Sequence, residues 1–130
     1  MTLLLGLAAL AIDLGRMYVI RAELQCFTDA AALTAARGFD GSPTGLDRAR
    51  AAAQTLAQGP HAMRWDMGTQ AITHVTVSSS TDPDGHAQVR VAAAESAPVI
   101  FLRVFQSRES ATVAAASVAT NDGANVRLTQ

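Results

Sequence analysis

The sequence predicts an α+β fold, a long N-terminal membrane-anchoring helix followed by a small antiparallel sheet covered by short helices. Three observations carry that expectation. Residues 1–37 run without a proline, apolar at the start and increasingly polar toward the end, and Gly38 follows as a stop signal. Beyond residue 70 the pattern changes to β-branched alternation on either side of Asp82-Pro83-Asp84-Gly85, the composition of a hairpin. The whole chain has 130 residues and no internal repeat, room for one modest domain beside the helix.

The helix comes first. Leu3 to Ile12 carry no charge, Asp13 and Arg16 then interrupt, and from Arg21 onward polar residues alternate with Ala and Leu. Such a gradient predicts attachment to a membrane. A spanning helix needs about 20 apolar residues at about 1.5 Å each. The clean run is shorter, so the expectation is an apolar stretch upstream of Met1 that completes the span. A cleaved signal peptide fits less well, because no basic residue precedes the apolar core and the helical pattern continues past any cleavage point.

The remaining elements follow in order. Gly38 to Gly45 has loop composition, and Leu46 to Gln58 reads as an Ala-rich helix with Asp47 in its first turn and Gly59-Pro60 ending it. Trp65, with Met63 and Met67, is expected in a small core. Ile72, Val75 and Val77, then Val89 and Val91, mark the two hairpin strands. Pro98 opens a short segment, read as a helix packed on the sheet, with a buried strand as the alternative. Ser110 to Thr120 reads as a third strand whose alanines allow a covering helix to approach closely. The organisation is therefore a helix at 1–37, an α+β head at 38–120 and a loosely ordered tail at 121–130.

Residues Ala8 to Arg37 resemble the N-terminal signature of TadE/TadG-like proteins, pilin-like assembly factors of the bacterial tight-adherence (Flp) pilus. The ordered elements are Asp13, Gly15 and Arg16, then Tyr18, then Arg21, Leu24 and Gln25, then Asp29 to Arg37. Val89 to Thr120 is similar to a strand, helix and strand of the same family. The resemblance implies a pilin-like structural or assembly protein anchored in the bacterial inner membrane, its head in the periplasm or outside. Its partners would be other pilus-assembly or pilin-like subunits, reached through the N-terminal helix, and the membrane itself. A non-pilus, envelope-anchored binding module without catalytic activity is the competing class; gene neighbours encoding a secretion ATPase and a prepilin peptidase separate the two.

Composition narrows the chemistry. Formal net charge is -1, and all 10 basic residues are arginine, so nothing recruits nucleic acid. His61, His74 and His86 stand apart from one another and from the single cysteine, Cys26, so no zinc pattern exists. Asp82 and Asp84 resemble the start of a calcium loop, but the rest of its ligands are missing and turn formation explains them better. No nucleophile and base can be nominated, so no catalytic site, cofactor or metal is expected. Cys26 reads as a small apolar residue on the helix, with an intermolecular disulfide as the alternative.

Asp13 carries the sharpest question. An ionised carboxylate in apolar surroundings is costly, so it must sit at a membrane edge, pair with Arg16, or find a partner on another subunit. The candidate packing and assembly residues are Asp13, Arg16, Leu24, Asp29, Ala31 and Ala35. Small residues let helices approach closely, and the face made by Leu24, Ala30, Ala31 and Ala35 is expected to meet either another subunit or the protein's own head.

Overall fold

A computed structural model describes residues 2–59, 72, 74–101 and 110–129, with side chains from residue 4 onward. Helix α1 spans Thr2–Arg37 and helix α2 spans Pro43–Gln58. Strands β1 (His74–Thr81), β2 (Ala87–Pro98), β3 (Ser110–Asn121) and β4 (Val126–Thr129) follow. They form one antiparallel sheet in the order β1-β2-β3-β4, so each strand pairs with its neighbour in sequence. The α+β architecture expected from the sequence is the one observed.

Helix α1 is buried on a single stripe. Asp13, Ile20, Leu24, Phe27, Ala31 and Ala35 lose nearly all solvent contact, with Met17 half-buried between them. Steps of three and four residues keep these side chains on one side of a helix. The opposing sheet face is built on the two-residue period of a strand, with Val89, Val91, Ala93 and Ala97 from β2 and Val113, Ala115 and Ala119 from β3 buried. The contact mixes large side chains, Ile20, Leu24, Phe27, Val89 and Val91, with alanines on both partners.

Helix α2 closes the flank. Gly45, Ala49, Ala53 and Ala57, four apart, form its buried edge and pack it against α1 and β1. Ser42 caps it by accepting the Gly45 N–H at 3.0 Å, and Pro43 follows in the first turn, where its missing N–H costs nothing. The helix therefore starts three residues earlier than expected, which moves Asp47 out of the first turn. A side chain at Gly45 would meet the Asp40 carboxylate and displace it from its bonds to Ser42.

The two hairpins share one device. In the first, the Asp82 carboxylate accepts the N–H groups of Asp84 (3.0 Å) and His86 (2.7 Å), and Gly85 takes φ +89°. In the second, the Asp122 carboxylate accepts those of Ala124 (3.0 Å) and Asn125 (2.6 Å), and Gly123 takes φ +82°. Aspartate fixes its own turn and glycine supplies the left-handed residue.

Two expectations need correction. The tail is not loosely ordered: Val126–Thr129 is strand β4, paired with Val118–Asn121, because the Asp122 turn folds the chain back onto the edge of β3. Pro98 does not open a helix, since it ends β2 opposite Ser110; the rest of that expected helix, from residue 102, lies outside the described residues. The sheet is covered by α1 and α2. Trp65, Met63, Met67 and His61 also lie outside the described residues.

Candidate functional site

The residues singled out in the sequence lie along α1, and the structure turns them toward the chain's own head. Leu24, Ala31 and Ala35 are completely buried in the core shared with β2 and β3. Asp29 is half-buried at the edge of the same contact, and Arg16 is half-buried one turn after Asp13. Of the two surfaces this face was expected to meet, Leu24, Ala31 and Ala35 meet the intramolecular one; Ala30, expected beside them, is exposed instead, because it lies about 100° around the helix from Ala31.

Asp13 is 2% exposed. Its carboxylate accepts the backbone N–H of Ile100 at 3.2 Å and of Phe101 at 2.8 Å, one on each oxygen. These donors lie just past the end of β2, so the acid joins the apolar half of α1 to the head. Backbone N–H donors spread a carboxylate's charge through charge-assisted bonds, which offsets the cost of removing it from water.

A second polar contact lies three to four turns further along. Ser117 is the one hydroxyl among the small and branched side chains that β3 turns toward α1, opposite Val91 of β2. It donates to the Asp29 carboxylate and accepts from the Gln25 amide at 2.9 Å. The single proton of the Thr28 hydroxyl has two acceptors in reach, Ser117 at 2.8 Å and the Gln25 carbonyl at 3.0 Å, and Gln25 also donates to Asp29 at 2.9 Å. Four side chains thus bond one another where α1 meets β3, with Thr28 and Ser117 buried and Gln25 at the open rim, which fixes the rotation of α1 over β3. At the end of α1 the Asn121 amide donates to the carbonyls of Ala36 (2.9 Å) and Phe39 (3.2 Å), filling acceptors that a helix terminus leaves open.

Residues 1–38 match the family model described as putative Flp pilus-assembly TadE/G-like. The match ends one residue past α1, and it supports a part for the chain in Flp pilus assembly. No curated protein and no solved structure matches the chain. Asp13, Leu24, Gln25 and Asp29, all within the matched segment, contact the head, so the segment that carries the likeness also holds α1 against the sheet. The similarity seen in Val89 to Thr120 lies outside the matched segment.

Sequence reading missed Thr28, Ser117, Asn121, Ile100 and Phe101. For Ser117 a signal existed, a hydroxyl in register with Val113, Ala115 and Ala119 on an inward face. Backbone donors such as those of Ile100 and Phe101 leave no trace in residue type.

Away from α1, Asp82, Asp84 and His86 offer ligand atoms within 4.8 Å of one another. Burial pushes the Asp82 carboxyl up, but the His86 N–H and imidazole outweigh it and hold the group below its ordinary value. The carboxylate already accepts two backbone N–H groups and faces the His86 ring at 3.2 Å, so the turn itself accounts for the grouping. Asp40 is held low by the Ser42 hydroxyl and N–H, and Asp122 by the Asn125 and Ala124 N–H groups.

Proposed function

We propose that the protein is a membrane-anchored, pilin-like structural or assembly protein of a tight-adherence (Flp) pilus, attached to the bacterial inner membrane by the apolar end of α1 with its head in the periplasm or outside. The observation that carries this reading is the division of α1. Ile20, Leu24, Phe27, Ala31 and Ala35 are buried by the head, whereas Leu4, Leu5, Leu7, Ile12 and Leu14 are at least half exposed. Large apolar side chains displayed in a contiguous patch mark a surface that meets lipid or protein.

Among the described residues no helix is long and apolar enough to cross a membrane. Leu4 to Leu14 reach about 16 Å, roughly one leaflet of a bilayer core, so the anchoring proposed for this section is insertion from one side. With the small-residue stripe taken by the head, contacts to other subunits fall to the opposite face of α1, where Tyr18, Ala22, Cys26 and Ala30 are exposed.

Deletion of the gene in its host, with complementation by the full chain, tests the reading. Loss of surface Flp pili with restoration by the wild-type gene supports it; normal pili and adherence in the deletion strain reject it.

A further inference from the structure

We propose that Ile100 and Phe101 form a second membrane contact, a headgroup-level wedge that Asp13 holds against α1 so that helix and head enter one bilayer surface together. The inference rests on the anchoring reading above and adds a residue-level contact from the head.

Four observations meet at this point of the fold. Ile100 is 53% exposed and Phe101 37% exposed, although both are large and apolar. Their backbone N–H groups are bound to Asp13, so the pair is held beside the part of α1 where Leu10, nearly one turn before Asp13, and Leu14, the next residue, are exposed. At about 100° per residue, the exposed Leu4, Leu5, Leu7, Leu10, Ile12 and Leu14 spread over roughly 220° of the helix circumference. The remaining side carries Gly6, Ala9 and Asp13, the continuation of the stripe that faces the head.

Exposure over so wide an arc selects the occupant. A groove on a folded partner covers one side of a helix, whereas acyl chains surround whatever side is open. The polarity change agrees, since charge begins at Asp13 and Arg16, about 13–18 Å along the helix from Leu4, where an inserted segment would reach the headgroups. There the Asp13 carboxylate would be costly if it faced lipid. Turned inward onto two N–H donors it is satisfied, and the residues bearing those donors direct apolar side chains outward.

The test uses the full chain with phosphatidylcholine vesicles. On a Cys26→Ser background, an environment-sensitive fluorophore is attached at Phe101→Cys or, as the remote reference, at Ser78→Cys on β1. Flotation with vesicles reports anchoring, and emission reports the depth of each label. The proposal expects flotation with a blue shift at 101 and none at 78. It also expects Ile100→Ser/Phe101→Ser to weaken partitioning about tenfold with unchanged circular dichroism. Flotation with a water-like label at 101 overturns this inference and leaves the anchoring intact; no flotation overturns both. A shift at 101 that appears without lipid and grows with protein concentration assigns the surface to a second copy and overturns it as well.

Discussion

Ala30 and Ala31 are adjacent on α1 but point about 100° apart, one exposed and one buried, which makes a sharp test of the helix-on-sheet contact. Ala31 has no solvent exposure and belongs to the core with Leu24, Phe27, Val91 and Ala115, whereas Ala30 is exposed. Ala31→Leu adds three heavy atoms at a position with no solvent exposure inside the core, and such overpacking costs about 1–3 kcal/mol. For a domain of this size 1 kcal/mol lowers the melting temperature by about 4 °C, so the expected fall is roughly 4–12 °C. Ala30→Leu projects outward and should change stability by less than about 0.5 kcal/mol. Circular-dichroism melts of the full chain in a mild detergent compare the three proteins. Equal midpoints for wild type and Ala31→Leu, or a fall confined to Ala30→Leu, would refute the facing assigned to α1.

Other expectations follow from the polar contacts. Asp13→Asn keeps the shape but leaves one acceptor oxygen for two N–H groups, so a contact worth about 1.5–3 kcal/mol is lost and the Ile100 and Phe101 amides should exchange with solvent at least tenfold faster by NMR. Ser117→Ala removes the shared partner of Gln25, Thr28 and Asp29; it should cost about 1–2 kcal/mol in urea unfolding and be non-additive with Thr28→Val, whereas strict additivity would mean the four groups do not act as a unit. Asp40, Asp82 and Asp122 are held below the ordinary aspartate value of 3.8. A depressed folded value means their contribution is complete above the unfolded value and is lost as pH falls through the folded one. NMR titration should therefore find these carboxyls ionised at pH 3.8, with the two hairpin turns loosening only in more acidic solution; ordinary titration of all three would contradict the turn assignments.

How much of this fold was legible in the sequence depends on how local each cause is. The helicity of α1 with its stop at Gly38, the Ala-rich second helix and the Asp82 to Gly85 turn all act within a few residues, and each was readable; the facing of α1 was read only in part, since Ala30 was placed with Ala31 and is exposed. Strand β4 was missed because Val-Arg-Leu-Thr is too short to show a period, and the Asp122-Gly123 turn that delivers it lies against a segment read as tail. The start of α2 was misplaced because Ser42 lies within a Gly- and Pro-rich stretch that reads as loop, although Ser before Pro is also a capping signal. Asp13 was recognisable as a residue that needs a partner; its donors 87 and 88 positions away were not, since they are main-chain groups placed by tertiary structure.

The central proposal is that α1 divides its labour, with its apolar end in the membrane and Asp13, Leu24, Gln25 and Asp29 clasping a head that serves pilus assembly. Membrane fractionation of cells producing the wild type or Leu7→Asp/Ile12→Asp tests it most directly, because both positions are at least half exposed and the charges leave the core untouched. Wild type is expected in the salt-washed membrane pellet and the double variant in the soluble fraction, with an unchanged head melting curve and no pili. Wild type washed from the membranes, or a double variant that stays in the pellet and still supports pili, would contradict it.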